Sequence, residues 1–501
     1  MVNLKKVFGY FILCNFVLWS LVPLWRISLP MDTQEAIVWG KYCLWGTTKH
    51  PPFSGWIAYP FWRLFGRWDG SMYILSQLFV LLGVIYIYKL ARCFLNENHA
   101  ILAALLQFGI IYYDFSSVEF NVNVVSLALW PMCAYYFWQA YTQDKWLDWF
   151  LFGLLAGLNL LNKYVGGILL VAIGIFVLFD KNIIKLIKNI KVYFAAIIAL
   201  KVITPHVWWL WQNDFEAFNY ITGRSHGGNI VSFWRHLAYP LKFFGAQLLF
   251  AAPALLTYAW FERKYGLIKI FRNPMQIKRI FWLECDRQRA VSLFILCMAV
   301  VPVAVFTLIC LISGNAAKSM WGFPCLFMWG TALFYFIPVE FDAKTINKFV
   351  KAMFGWVVLF AVAYTLQCLL TTSLRFQTHT SEIAQLLEQK WQENEHRPLE
   401  YAGGNVWYTD LVALYAKGDV KPMIWLSPKN NPWFDAEDFE RKGALVVAER
   451  EDEYKAYMKQ FPHKITPPQT IKLELKNYFG KTKVKEIFFG FYSDRENKYA
   501  E

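Results

Sequence analysis

Residues 371–501 contain no cysteine, so any structure formed there holds without disulfides. The nine cysteines of the whole chain lie mostly inside apolar runs, and their spacing matches no metal-ligand set. Glycine offers no nucleotide loop either. The pair Gly403-Gly404 lacks both the third glycine of a dinucleotide fingerprint and the Lys-Ser/Thr of a phosphate loop. There is no internal repeat and no low-complexity tract. No metal site and no cofactor are expected on these grounds. The first apolar segment, 7–25, is too long and too aromatic for a signal peptide, and no Ala-x-Ala-like site follows it. It is expected to be retained.

Apolar residues are what the chain has in excess: 57% hydrophobic, 19% aromatic, with a mean hydropathy of +0.31. A soluble chain of 501 residues has no use for so much apolar surface. Runs near the spanning length of ~20 residues recur to about residue 370 and then stop. They are placed at 7–25, 72–90, 100–113, 124–141, 147–161, 164–180, 190–204, 237–260, 291–312, 319–338 and 351–370. The expectation is a polytopic α-helical membrane protein with about 11 transmembrane helices over residues 1–372. Residues 373–501 are expected to form a soluble domain.

The formal net charge of +14 does not mark a nucleic-acid binder, because of where it sits. Residues 371–501 carry 19 Lys+Arg against 20 Asp+Glu. The excess belongs to the membrane part. With Lys5-Lys6 on the cytoplasmic side, the alternating spans place Lys181, Lys185, Lys188, Lys191 and the basic loop 263–289 on that side too, a positive-inside bias. The polar loops and the soluble tail then share the opposite, non-cytoplasmic face of the membrane. Membrane lipids are expected neighbours.

The first of those loops reads Asp32-Thr33-Gln34-Glu35, then Lys49-His50-Pro51-Pro52. Asp32 and Glu35 share one face if 33–45 is helical, and Pro-Pro suits the first turn of a following helix. Ionisable groups at the lip of a membrane segment point to function. A solvated loop with a capping Asp would use the same residues.

Later loops add candidates. Glu119, Asn121 and Asn123 precede a long apolar run, as a hydrogen-bonding wall or as a helix cap at Asn123. Asn162-Lys163-Tyr164 interrupts two spans; Lys163 is placed either to snorkel or to hold a phosphate. His206 with Trp208, Trp209 and Trp211 is read as part of a loop over 205–236 that suits a sugar or polyprenyl chain, or an interfacial belt. Lys318 stands in a short outer loop. From Phe376 the pattern becomes that of an α/β domain: a helix at 381–395 with Ile383, Leu386, Leu387 and Trp391 on one face, and strands at 399–402, 423–426, 444–448, 471–475 and 487–492.

The pattern Asp32…Glu35…Trp39…Trp45-Gly46…His50-Pro51-Pro52…Trp56 resembles the first periplasmic loop of bacterial protein-mannosyltransferase-like glycosyltransferases of the GT-C superfamily. That group includes the aminoarabinose and galacturonic acid transferases of lipid A. Phe120-Asn121-Val122-Asn123 with Trp130-Pro131, Asn162-Lys163-Tyr164 and Pro205-His206-Val207-Trp208-Trp209 resemble later blocks of the same group. The resemblance covers roughly residues 1–340; the tail is similar only as a periplasmic α/β appendage. It implies a GT-C-like fold and an inverting transfer of one sugar from a polyprenyl-phosphate donor to a glycan, lipid or protein acceptor in the periplasm. Family precedent makes Asp32 the base and Glu35 the second acid, which aligns the acceptor. Lys49, His50, Glu119, Asn121, Asn123, Lys163, Tyr164, His206 and Lys318 are the implied substrate contacts.

Two departures bear on that assignment. His50 stands where the lipid A enzymes carry a Lys before Pro-Pro, with Lys49 beside it; and Asn123 stands where many relatives carry an Asp. The alternatives are a protein O-glycosyltransferase of the same family, a lipid or sugar transporter, and a structural membrane subunit. A transporter would place ionisable groups near the bilayer midplane, often within inverted repeats. Here they cluster on one face.

Overall fold

A computed structural model of the chain describes residues 3–225, 233–262, 286–337, 339 and 341–493. Most of the basic loop noted above, 263–285, lies outside the described residues. Sixteen of the helices, in chain order, begin with α1 (Leu4–Leu21), α2 (Met31–Tyr42), α3 (Phe53–Leu64), α4 (Gly70–Ala91), α5 (Glu97–Leu105), α6 (Val122–Gln143), α7 (Trp146–Asn162) and α8 (Gly166–Phe179). They continue with α9 (Ile190–Gln212), α10 (Phe233–Glu262), α11 (Asp286–Ser313), α12 (Ala343–Leu370), α13 (Thr380–Glu395), α14 (Val406–Tyr415), α15 (Ala436–Lys442) and α16 (Glu451–Gln460).

Among the described residues, six helices are long and apolar enough to cross a membrane: Leu4–Trp25, Gly70–Ala91, Ile190–Gln212, Phe233–Glu262, Gln288–Ser313 and Ala343–Leu370. A seventh results if Glu97–Gly109 and Ile111–Val118, bent by 84°, count as one span. Eleven spans were expected from apolar runs, and the difference has local causes. The run at 100–113 breaks into α5 and short 3-10 turns. The run at 319–338 is a 3-10 stretch, Ser319–Leu326, with Pro324 inside it, and then the eight-residue helix Trp329–Phe336. Proline removes a backbone donor, and 3-10 geometry seldom runs far. α7 and α8 have 17 and 14 residues.

The loop expected at 205–236 also needs correcting. α9 runs through Pro205 to Gln212, so His206 and the three tryptophans are helical. A single missing donor does not end a helix whose other backbone bonds are intact and whose side chains are apolar.

The chain clusters into two compact units. The first comprises Met1–Leu21, Tyr73–Gln212 and Phe218–Ala363. In it α6 packs on α7, α7 on α9, α8 on α11 and α10 on α11. The second comprises Val22–Met72, Asn213–Ala217 and Tyr364–Glu501.

The second unit is built on a five-stranded sheet of order β2-β1-β3-β5-β4. Its strands are β1 (Tyr401–Gly404), β2 (Lys421–Ile424), β3 (Ala444–Ala448), β4 (Gln469–Lys476) and β5 (Thr482–Tyr492). β1 runs parallel to β2 and β3, with Gly403 opposite Met423 and Val446; β5 runs antiparallel to β3 and β4. β3 is wholly buried, as a central strand covered on both faces must be. Leu387 and Trp391 of α13 and Leu411 and Val412 of α14 form a core with Leu445, Ile487 and Phe489 of the sheet. Phe439 of α15 and Tyr454 and Tyr457 of α16 pack with Val446 and Tyr492.

Residues 22–72 join this unit through specific contacts. Met31 packs against the α13–α14 core. Lys41 Nζ lies 2.6 Å from Asp419 Oδ1, and Tyr42 stacks on Trp433 at 4.3 Å between centroids. The Tyr415 hydroxyl donates to Asp69 at 2.7 and 2.8 Å. Burial pushes Asp69 up, while bonds from Tyr415 and Trp62 pull it down. Within the segment α2 crosses α3 at two glycines. A Cβ on Gly40 would sit 2.1 Å from Gly55 O, so only glycine permits that approach.

Candidate active site

The expected helix 33–45 is α2, which starts two residues earlier because Pro30 sets the extended entry (φ −57°, ψ 147°) and accepts the Gln34 N–H at 3.0 Å. Asp32 is in the first turn and is not the cap. One turn of helix separates it from Glu35, and the ammonium of Lys49 bridges the two. Lys49 Nζ is 3.4 Å from Asp32 Oδ1 and donates to Glu35 Oε2. Glu35 is 6% exposed at its side chain and Lys49 10%, whereas Asp32 is 33% exposed. Buried charges are tolerated when paired in this way. The arrangement leaves Asp32 as the more accessible of the two carboxylates.

Lys49 gets there through a turn centred on Thr47. The Thr47 hydroxyl donates to His50 O at 2.8 Å and accepts from the Lys49 and His50 N–H groups at 3.3 and 3.0 Å. Cys43 ends α2 in the left-handed region (φ 47°), which turns the chain back. His50 lies edge-on to Trp39 at 5.9 Å, half-buried, with Pro51-Pro52 leading into α3 as expected.

A third carboxyl belongs to this place and was not read from the sequence. Asp410, on α14, is 1% exposed, and among the described residues neither of its oxygens has a hydrogen-bond partner. α2 packs on α14. Burial pushes Asp410 well above the usual carboxylate range; the charge of Glu35 raises it further, and Lys49 partly offsets both. The signal was a lone acid in the otherwise apolar run Val406–Tyr415.

The other seven candidates lie in the first unit. Asn121, not Asn123, caps α6; its Oδ1 accepts from the Asn123 and Val124 N–H groups at 2.8 and 3.4 Å. The Asn123 side chain is thereby released and accepts a bond from Lys163 Nζ at 2.5 Å. Lys163 is buried and does not snorkel. Asn162 Nδ2 donates to Val122 O and Ser126 Oγ, which ties the α7 terminus to the start of α6. Tyr164 and His206 share a hydrogen bond of 2.9 Å. Glu119 is half-buried after a 3-10 turn, and Lys318 is exposed. Among the described residues no group of three His, Cys, Asp or Glu side chains could hold a metal ion.

Residues 49–209 match the family model described as dolichyl-phosphate-mannose-protein mannosyltransferase. Two relatives come from Rhizobium johnstonii. The lipopolysaccharide core galacturonosyltransferase RgtA is 25% identical over 263 residues, 51% of this chain and 52% of that protein. The corresponding figures for RgtB are 23% over 244 residues, with 48% of each chain. The chain thus spans about half the length of these curated relatives. In fold it is similar to ArnT from Cupriavidus metallidurans bound to undecaprenyl phosphate, with a TM-score of 0.63, 10% identity and 98% of each chain covered.

Proposed function

Because the chain is related to the GT-C glycosyltransferases, we propose that it moves one monosaccharide, with inversion, from a polyprenyl-phosphate donor to an acceptor at the periplasmic face. The acceptor class is lipid A or the lipopolysaccharide core. The family match, the names of the Rhizobium relatives and the fold of a protein seen with undecaprenyl phosphate support this reading.

The observation that carries it is the difference between Asp32 and Glu35. Sugar transfer from a phosphate ester needs a base for the acceptor proton and positive charge for the departing phosphate. Asp32, on the accessible side, takes the proton of the acceptor hydroxyl. The oxygen then attacks the anomeric carbon from the face opposite the phosphate, and the carbon–oxygen bond to phosphate breaks with its electron pair leaving on the lipid phosphate. Glu35 is buried and holds Lys49; it positions charge and does not meet the substrate's proton. Lys49 and His50 are the proposed phosphate contacts. Lys163, braced by Asn123, and Tyr164, braced by His206, are proposed substrate contacts on the same resemblance, with Glu119, Asn121 and Lys318.

The test is Asp32→Asn in membranes supplied with polyprenyl-phosphate sugar and lipid A. Transfer is expected to fall by about 100-fold or more, with normal protein level. Near-wild-type transfer overturns the assignment. Mass spectrometry of envelope glycolipids from a deletion strain identifies the sugar and the acceptor.

A further inference from the structure

The second unit also carries an open cavity of about 370 Å³ away from α2's carboxylates in sequence and in composition. Its walls come from the stretch after α12, the first turn of α14, the residue following β3, and β4 and β5. It therefore lies at the carboxyl ends of β1 and β3, where open α/β sheets habitually bind ligands. The turn from β1 into α14 is tight there. Gly404 has φ +111°, and a Cβ on it would sit 2.2 Å from Val447 O.

The chemistry of the cavity is cationic. Arg375, Lys483 and Lys485 face a single acid, Glu449, which pairs with Lys485 at 3.2 Å. Among the described residues neither Arg375 nor Lys483 has a carboxylate partner. Two positive charges are left over, in a lining that also includes Thr371 and Thr372. A phosphate monoester carries about −1.5 to −2 at neutral pH and accepts bonds on three oxygens. Arg supplies forked donors and Lys a point charge, the pairing that holds such a group. Thr371 directly follows Leu370, the last residue of a helix apolar enough to cross a membrane. The lining of the cavity thus begins one residue past the end of that helix.

We propose that this cavity binds a phosphate monoester on a membrane glycolipid, and so recognises the acceptor at a place distinct from the transfer chemistry. The assignment of the glycolipid as acceptor rests on the function proposed above; the anion site does not.

The experiment uses the full-length protein in mixed micelles, titrated with bis-phosphorylated lipid A, dephosphorylated lipid A and inorganic phosphate. The wild type is expected to bind the phosphorylated lipid about 10-fold or more tightly than the dephosphorylated one. Arg375→Ala with Lys483→Ala is expected to remove that preference, both residues being exposed so that the fold is kept. Glu449→Gln is expected to tighten binding, and added salt to weaken it. Equal binding of phosphorylated lipid A by the double variant and the wild type overturns the site. Displacement of lipid A by inorganic phosphate at equal concentration overturns the glycolipid assignment. Asp32→Asn is expected to lower transfer by about 100-fold or more while leaving this binding intact. If that variant transfers normally while Arg375→Ala with Lys483→Ala still loses lipid A, the proposed function fails and the site stands.

Discussion

The second unit carries two charged places built on opposite terms. Around α2, Asp32 and Glu35 hold the ammonium of Lys49, Asp410 of α14 feels the charges of Glu35 and Lys49, and all but Asp32 are nearly sealed from solvent. At the sheet edge, Arg375, Lys483 and Lys485 outnumber Glu449, and Arg375 and Lys483 stay exposed. A sealed charge must be matched within hydrogen-bond reach, so the Glu35–Lys49 pair is sensitive to loss of either partner. Exposed charges need no partner to fold, so the second place is free to take one from a ligand and is screened by salt.

The sharpest way to break that contrast is to remove Lys49. Lys49→Met removes the ammonium that pairs with buried Glu35 and is expected to cost about 3–5 kcal/mol of stability. Thermal unfolding of the detergent-solubilised protein reads this directly. Glu35→Gln combined with Lys49→Met is expected to recover most of the loss; a double variant as unstable as the single one would show that the ion pair is not the cause.

The next effect is a pH slope from Asp410. Its folded pKa is raised, whereas an unfolded aspartate titrates near ~3.9. Stability from this group is therefore complete below about pH 4. It declines by about 1.4 kcal/mol per pH unit as pH rises towards the folded value, since the unfolded state has already released its proton. Asp410→Asn keeps the shape without the proton, so the variant is expected to be the more stable one at neutral pH and to lose the slope. Parallel pH–stability curves for variant and wild type would count against a protonated Asp410.

The smallest effect belongs to the open cavity. Lys483→Ala is expected to change stability by no more than about 0.5 kcal/mol, although it contributes to the loss of phosphorylated lipid described above. A larger stability loss on denaturant titration would mean that the lysine serves the fold.

Some of this was legible in the residues alone. The one-turn spacing of Asp32 and Glu35 placed both on one face of a helix, because side-chain direction repeats every 3.6 residues. The buried face of α13 and the strand at 444–448 followed from the same kind of periodicity, and the apolar runs identified the long helices that remain continuous. Local patterns settle such features because their causes lie within a few residues.

Other features had no local cause. The sequence pointed equally to Lys49 and His50 before Pro51; the turn held by Thr47 sends Lys49 to the carboxylates and His50 to Trp39. The sequence suggested Asn123 as a cap, but Asn121 caps the helix, and that is what leaves Asn123 for Lys163. Asp410 looked like any acid on a helix of a soluble domain until α2 packed over it. The cavity joins segments drawn from 371–375 to 485 that share no motif. Periodicity and capping are properties of neighbouring residues. The water left around a charge, and the partner it finds, depend on which distant segment covers it.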